Sequence, residues 1–315
     1  MKDDLVIFSG SAHRELAEEI CRLRGVRLGL SVTRHFSNDN LYVQLQQTVR
    51  ERDVFIIQPC YPPPVSDRIM ELMMMIDAAR SASAKRVTAV IPYYSYSRSD
   101  KKDEPRISIA GRLVADLLAT SGAQRVLTMT LHSPQVHGFF SVPTDHLSSI
   151  PLFSGYFRDR DLSETTLVTP DIGHVKRGAE LARQLGLPMA AVSKKRIDDA
   201  TVVSDGLIGQ IRGKKAIVLD DEIAVGTSML NAITLLREYG VTEVTLVCAH
   251  GIFCGPAIKN LKATPEIKEI VTTDTVPIPP EKRIACMQVL SVAPLFADAI
   301  RRIHGGESMQ PLFDY

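Results

Sequence analysis

The stretch VLDDEIAVGTS, residues 218–228, carries the strongest structural signal in the chain. An apolar run ends in two adjacent carboxylates, Asp220 and Asp221, then small residues follow and a helical pattern begins. That order predicts a buried strand, a tight turn and the N-terminus of a helix. The free N–H groups and the positive dipole end of such a helix favour an anion such as a phosphate. On this segment alone, a ligand site and a pair of solvent-exposed N-capping aspartates are equally supported.

The same alternation of strand and helix runs through most of the chain. Apolar strands are predicted at 5–10, 54–59, 86–94, 125–132, 166–171, 214–221 and 243–250. Helices are predicted at 13–25, 66–84 with Ser66 or Asp67 as N-cap, 107–122, 174–186, 228–239 and 293–305. Apolar strands joined by crossover helices indicate α/β architecture, with parallel sheets covered by helices on both faces. A less regular stretch from about 143 to 165 separates two such runs. We therefore expect two domains, 1–147 and 148–289, with a C-terminal helix in 290–315 that packs back on the first.

Composition excludes several function classes. The chain has 315 residues, 45% of them hydrophobic, and its 37 Lys and Arg nearly balance its 36 Asp and Glu. This balance argues against a nucleic-acid binder or a membrane-surface protein. The acidic start MKDDLVIFSG does not resemble a signal peptide, and no apolar run approaches the roughly 20 residues that span a bilayer. Five scattered cysteines without a C-x-x-C pair indicate reduced thiols in a cytoplasmic protein rather than a zinc site.

Four further segments follow predicted strands and contain side chains that bind phosphates, bases or metals. They are IPYYSYSRSDKKDEPR (91–106), LHSPQVHGFF (131–140), TPDIGHVKR (169–177) and SKKRIDDA (193–200). The first could stack a base and pair with phosphates, His132 and Asp171 suit a metal, and the last is a basic loop that could close over phosphates. Each also has an ordinary structural interpretation, such as a solvated basic loop or a hydrogen-bonded histidine. Their common position favours function, because ligands of open α/β sheets bind at the carboxyl ends of strands.

Taken together with FSGSAHRELAEEI, FSNDN, VPTDHL, HGIFCGPA and GESMQPLF, these segments make the chain resemble the ribose-phosphate diphosphokinases, also called phosphoribosyl pyrophosphate synthetases. The resemblance covers nearly the whole length. It implies two similar phosphoribosyltransferase-like domains. It also implies transfer of the diphosphoryl group of ATP to the C1 hydroxyl of ribose 5-phosphate, assisted by Mg²⁺. Family members are often hexamers built from homodimers, so a homo-oligomer is expected.

The resemblance also implies a role for individual residues. ATP-binding positions match Phe36, Asn38, Asn40, Arg98, Ser99 and His132. Metal contacts match His132 and Asp171, and a catalytic basic pair matches Lys194 and Arg196. Ribose 5-phosphate positions match Asp220, Asp221, Ala224, Val225, Gly226, Thr227 and Ser228. Arg106 and Ser308 lie in segments that match an allosteric site for phosphate and ADP.

Departures from the family pattern lie in the phosphate loop, which usually reads T-G-G-T where this chain has Val225, Gly226, Thr227 and Ser228. Val225 lacks a hydroxyl that could bind phosphate, and Thr227 is expected to strain a position where glycine permits positive φ. Thr130 also stands where an Asp is usual. Weaker ribose 5-phosphate binding is therefore expected. The leading hypothesis is an active diphosphokinase; the alternatives are a catalytically weak member that modulates an active paralogue and, disfavoured by the second domain, a phosphoribosyltransferase-like enzyme.

Overall fold

The computed structural model describes residues 4–196 and 202–313, with the side chains of 194–196 and 202–205 outside that description. The chain divides into two compact units. The first comprises the residues up to Ser148, Thr275–Pro277 and the residues from Ser291 onward; the second comprises Ser149–Asp274 and Ile278–Leu290. Each unit has its own sheet and its own hydrophobic core.

The first unit is built on a five-stranded parallel sheet of order β1-β4-β5-β6-β7 and a separate antiparallel hairpin, β2–β3. Its strands are β1 Leu5–Ser9, β2 Ser31–His35, β3 Leu41–Leu45, β4 Asp53–Ile57, β5 Arg86–Ile91, β6 Arg125–Met129 and β7 Thr144–Leu147. Its helices are α1 Arg14–Arg24, α2 Val65–Ser81 and α3 Ala110–Ser121. Strands β1 and β4 are buried along their whole length, as expected for a sheet covered on both faces.

A buried carboxylate fixes the turn between β1 and α1. Glu71 of α2 is 2% exposed, and it accepts hydrogen bonds from Ser11 N (2.9 Å), Ser11 Oγ (2.6 Å) and Gln58 Nε2 (2.6 Å). Gln58 in turn accepts from Ala12 N at 3.1 Å. A buried charge is tolerated when it is fully hydrogen-bonded, so this network holds the turn in one conformation.

The second unit is built on a seven-stranded sheet of order β10-β9-β8-β11-β12-β13-β14. Every neighbouring pair is parallel except β9 with β10. The strands are β8 Thr165–Thr169, β9 Met189–Arg196, β10 Val202–Gly209, β11 Lys215–Ile223, β12 Glu243–Gly251, β13 Ile267–Thr273 and β14 Met287–Leu290. The helices are α4 Ile150–Phe157, α5 Val175–Leu185, α6 Thr227–Glu238 and α7 Ala257–Lys262. Strand β11 therefore lies between β8 and β12 in the interior of the sheet.

The last helix, α8 Ala293–Gly305, returns to the first unit and packs against α1. A buried ion-pair cluster holds its C-terminal end. Arg86 donates to both carboxylate oxygens of Asp53 and to the Ile303 carbonyl oxygen (2.8 Å), and His304 Nδ1 lies 2.8 Å from Asp53 Oδ2. Asp53 is 5% exposed, so the pairing also removes the cost of an isolated buried charge.

The α/β architecture with mainly parallel sheets is as predicted, but several boundaries are not. Helix α2 begins at Val65 after Pro64, not after Ser66 or Asp67, since proline suits a helix start and no side chain caps this end. Helix α6 begins one residue early, at Thr227. The stretch 143–165 contains β7 and α4, and the hairpin β2–β3 was not predicted because its residues are half-exposed or exposed and form no long apolar run. Within the described ranges, no helix is both long and apolar enough to cross a membrane. All five cysteines are free.

Candidate active site

Two buried aspartates form the base of the candidate site in the second unit. Asp220 is 7% exposed and Asp221 is 1% exposed, and both lie near the end of β11. The N-cap of α6 is Gly226, and no side chain caps that helix. The interpretation as solvated N-capping aspartates is therefore wrong. Burying two adjacent carboxylates is costly unless they bind something, and this cost points to a ligand at the carboxyl end of β11.

The loop between β11 and α6 supplies exposed donors for an anion. Val225, Thr227 and Ser228 are exposed, whereas Ala224 is half-buried and its carbonyl accepts a hydrogen bond from Cys254 N at 2.8 Å. The first N–H groups of a helix have no intrahelical acceptor. The loop and the first turn of α6 thus present backbone donors and the positive end of a helix dipole next to the two carboxylates.

The expected strain at Thr227 is wrong. Gly226 is the residue of this loop with a left-handed backbone, at φ 87° and ψ 1°. Thr227 is the first residue of α6 and has no positive φ. The glycine that the turn requires is therefore present, because only glycine adopts this conformation without cost. The effect of the missing Val225 hydroxyl stays a prediction.

His174 lies within the candidate site, although the sequence did not identify it. It ends a short 3₁₀ helix, Ile172–His174, that leads into α5, and it is 7% exposed. Its Nδ1 lies 3.0 Å from Asp220 Oδ1 and 3.2 Å from Asp171 Oδ1, and its Nε2 lies 3.4 Å from Asp221 Oδ1. The imidazole thus brings three predicted site carboxylates together. The signal in the sequence was its position three residues after Asp171, but nothing local connects it to β11.

The electrostatics of this cluster follow from burial. Burial raises the pKa of Asp220 well above the ordinary carboxyl value, and the neighbouring charges of Asp221 and Asp171 raise it further. Burial lowers the pKa of Arg177, while Asp221 and Asp220 act in the opposite direction. Asp171 keeps 30% of its side chain exposed and accepts a hydrogen bond from His174 N at 3.3 Å. The site therefore combines buried carboxylates with one carboxylate that solvent can reach.

In the first unit, the residues predicted to bind adenine lie around the tip of the β2–β3 hairpin. Phe36 is 47% exposed, and its ring meets Tyr42 edge-on with 5.5 Å between centroids. Asn38 Oδ1 accepts from Asn40 N at 3.2 Å, and Phe36 N donates to the Asn40 carbonyl oxygen at 2.9 Å. The tip is thus an ordered turn that presents an accessible aromatic face.

The other predicted ATP residues of this unit lie in two loops. Arg98 is exposed, but the Ser99 hydroxyl is engaged locally: it accepts from Ala110 N (3.0 Å) and donates to the Ser108 carbonyl oxygen (3.2 Å). Ser99 therefore holds its own loop against the start of α3. His132 is half-buried three residues beyond the end of β6.

The turn before His132 carries backbone strain. Thr130 is 3% exposed and has a left-handed backbone, at φ 44°, which is uncommon for a β-branched residue. Leu131 N donates to His146 Nε2 at 2.8 Å, so a side chain from β7 holds the turn. Strained backbone tends to cluster at functional sites, and here the strain lies directly beside a predicted ligand of ATP and metal.

Comparisons with known proteins agree with this geometry. The model of the N-terminal domain of ribose phosphate pyrophosphokinase matches residues 5–122, and the model of the phosphoribosyl synthetase-associated domain matches residues 160–314. A ribose-phosphate pyrophosphokinase of Deinococcus radiodurans is 50% identical over 317 residues, covering 99% of this chain and 98% of the relative.

The chain belongs to the ribose-phosphate pyrophosphokinase family. A relative from Clostridium acetobutylicum with the same name is 44% identical and covers 98% of this chain and 97% of its own. The crystal structure of phosphoribosylpyrophosphate synthetase from Mycobacterium smegmatis matches with a TM-score of 0.90 at 37% identity, covering 96% of this chain and 99% of that chain. The predicted family and fold class are confirmed.

Enzymes of the ribose-phosphate pyrophosphokinase family generally require a metal ion. The donor chemistry of the second unit fits one, because the carboxylates of Asp171, Asp220 and Asp221 offer the oxygen ligands that hard divalent cations prefer. His132 belongs to the first unit and Asp171 to the second, and their joint role as metal contacts stays a prediction.

Four predicted residues complete the comparison with the sequence. Lys194 and Arg196 lie in β9, paired in register with Ser204 and Val202 of β10, but their side chains lie outside the described part of the structure. Arg106 is exposed in the segment before α3 with φ 67°. Ser308 is exposed after α8, where its carbonyl oxygen accepts from Arg302 Nη1 at 2.9 Å and its hydroxyl accepts from Gln310 N at 3.1 Å.

Proposed function

We propose that this chain is a ribose-phosphate diphosphokinase that transfers the diphosphoryl group of ATP to the C1 hydroxyl of ribose 5-phosphate, with Mg²⁺ as cofactor. Membership of the family supports the activity. A single observation carries the assignment of the sugar site: two buried aspartates lie directly beside the exposed N-terminus of α6. The chain enters that helix through Gly226, whose backbone is left-handed. A sugar phosphate needs these two elements together: acceptors for hydroxyls and donors for a phosphate.

Ribose 5-phosphate binding is assigned to the second unit. Asp220 and Asp221 accept hydrogen bonds from the ribose hydroxyls, and bonds to a charged acceptor are stronger than neutral ones. The loop Ala224–Ser228 and the first turn of α6 hold the 5-phosphate through backbone N–H groups and the helix dipole. Holding both ends of the sugar fixes the direction of its C1 hydroxyl.

The reaction is a displacement at phosphorus. The C1 oxygen attacks the β-phosphorus of ATP, one O–P bond forms, the bond from the β-phosphorus to the oxygen bridging the α-phosphate breaks, and AMP leaves. The hydroxyl proton is released to water. Mg²⁺ held by His132 and Asp171 would neutralise charge on the phosphoryl oxygens. The protein contributes positioning, and the basic pair Lys194 and Arg196 stabilises charge that develops during transfer.

ATP binding is assigned to the first unit. The exposed ring of Phe36 offers a stacking surface for adenine, with Asn38, Asn40 and Arg98 as polar contacts. Ser99 supports this site through its loop, and His132 with Asp171 contacts the metal–ATP complex. We further propose a cytoplasmic, dimer-based homo-oligomer that takes no nucleic acid or membrane partner. Arg106 and Ser308 lie in the segments that match the family's regulatory site for phosphate and ADP.

One assay tests the proposal. Purified protein is incubated with ATP, ribose 5-phosphate and Mg²⁺, with and without inorganic phosphate, and AMP and 5-phosphoribosyl 1-diphosphate are measured together. Equal amounts of both products are expected from the wild type, and loss of both is expected from Asp221→Asn. Asp159→Asn, the same change at an exposed position of the second unit, is the matched control and should retain activity. Absence of product while ATP still binds would instead support the modulator of an active paralogue.

A further inference from the structure

His174 contacts three carboxylates of the proposed sugar site, which is more than a histidine needs to satisfy its two ring nitrogens. Its ring is buried, and both of its nitrogens face carboxylate oxygens: Nδ1 lies within 3.2 Å of two of them and Nε2 lies 3.4 Å from a third. In each of these carboxylates, at Asp171, Asp220 and Asp221, the oxygen that faces the ring is Oδ1. The imidazole is therefore packed against all three carboxylates.

The contacts connect two strands of the sheet. Asp171 and His174 follow β8, whereas Asp220 and Asp221 belong to β11, and these strands are hydrogen-bonded neighbours in parallel register from Thr165 opposite Lys215 to Val168 opposite Val218. Parallel strands bring their carboxyl ends to the same edge of the sheet. His174 is thus the side chain that joins the loop after β8 to the carboxylates of β11.

The contacts of His174 with the three aspartates affect the free energy of sugar binding. Carboxylates held a few ångströms apart repel one another, and each can turn about its terminal torsion, which has a broad energy minimum. A ring packed between them limits how far each carboxylate can turn. The sugar hydroxyls then meet acceptors that are already oriented, so less free energy is lost to ordering on binding.

We infer that His174 is a positioning residue that orients Asp220 and Asp221 for the hydroxyls of ribose 5-phosphate. The inference rests on the proposed function for the identity of the ligand. His174 acts through the two aspartates and not on the reacting phosphorus. Its loss therefore weakens binding of the sugar phosphate and leaves binding of ATP nearly unchanged.

The test compares His174→Ala, His174→Asn and His174→Gln. KM for ribose 5-phosphate and KM for ATP are measured separately, and the Kd of ribose 5-phosphate without ATP is measured by calorimetry. We expect His174→Ala to raise KM and Kd for ribose 5-phosphate at least tenfold and to change KM for ATP by less than twofold. His174→Asn should recover more affinity than His174→Gln, because the Asn amide nitrogen replaces Nδ1, which faces two of the three carboxylates.

The control is His304→Ala, which also removes an imidazole that contacts a buried aspartate, at 2.8 Å, but in the first unit. It should lower thermal stability without changing either KM. Unchanged ribose 5-phosphate affinity in His174→Ala, or equal rises in both KM values, would overturn the inference; if His174→Ala does not fold, His174→Asn and His174→Gln decide it. A wild type that binds ribose 5-phosphate but forms no product would refute the proposed function alone, and one that binds none would refute both.

Discussion

The phosphate loop allows two neighbouring substitutions to be distinguished, Val225→Thr and Thr227→Gly. Val225 is 45% exposed, so replacing one of its methyl groups by a hydroxyl removes no buried contact. The new hydroxyl can donate to the 5-phosphate, and a hydrogen bond to a charged group contributes about 1.5 kcal/mol at the lower end of its range. That corresponds to about a tenfold fall in KM for ribose 5-phosphate.

Thr227→Gly should behave differently. Thr227 is an exposed first residue of α6, and the left-handed backbone belongs to Gly226. Glycine at 227 therefore relieves no strain; it lowers helix stability by up to about 1 kcal/mol and leaves KM for ribose 5-phosphate within about twofold.

Initial rates at saturating ATP and metal, with ribose 5-phosphate varied, measure both effects. Val289→Thr is the matched control, because Val289 is a 38% exposed valine on β14 at the edge of the same sheet, and its KM should equal that of the wild type. If Thr227→Gly lowers KM while Val225→Thr does not, the account of this loop is wrong.

Three further substitutions test the surrounding structure. Gly226→Ala should lower the free energy of unfolding by about 1–2 kcal/mol, because a left-handed backbone is unfavourable for alanine. Space is not the cause, since the nearest atoms to the new Cβ would be 3.8 Å and 3.9 Å away. An unchanged denaturant midpoint would contradict this prediction. Glu71→Gln should lower the free energy of unfolding in guanidinium by about 2 kcal/mol, because the NH₂ of the new amide would face donors that now bond to a carboxylate oxygen. An unchanged free energy of unfolding would show that the carboxylate is unimportant. Partial burial acts to raise the pKa of Asp298, but hydrogen bonds from Arg302 and Arg301 outweigh it and lower the pKa below the ordinary value. The stabilisation is therefore present above the ordinary carboxyl pKa and is lost as pH falls through the lowered one, so Asp298→Asn should lower Tm at pH 7, and the difference from the wild type should shrink as pH falls below about 4. A Tm difference as large at pH 2 as at pH 7 would refute the assigned cause.

What the sequence could predict is set by how local each signal is. The β11–α6 junction was predicted because its buried strand, carboxylate pair and glycine turn lie within 218–228, and β4 and β5 were predicted because each is a mostly apolar, buried run. The β2–β3 hairpin has no such run, since its residues are half-exposed or exposed on both strands. The residues near its tip that are expected to bind adenine were identified by resemblance alone.

His174 shows the other limit. Its contacts with Asp220 and Asp221 exist only because β8 lies beside β11, and the two segments are separated in the chain by α5, β9 and β10. No spacing along the sequence encodes that adjacency. Thr227 shows that a family pattern can mislead because it does not state the backbone conformation of each position. Of the two adjacent positions where the pattern has glycine, only Gly226 has a left-handed backbone in this chain, and Thr227 does not.

The energies involved decide between an active enzyme and a weak modulator. A missing hydroxyl at Val225 costs about 1.5 kcal/mol at the lower end of its range, which is roughly tenfold in the affinity for ribose 5-phosphate. Loss of a group that stabilises the transition state costs on the order of a hundred- to a thousandfold in kcat. A modulator would need a loss of the second kind. The carboxylates of Asp171, Asp220 and Asp221 are present and lie within 3.4 Å of the His174 ring, and Gly226 keeps the turn. The departures in the loop therefore act on KM, and a chain with a raised KM but an ordinary kcat is still a diphosphokinase.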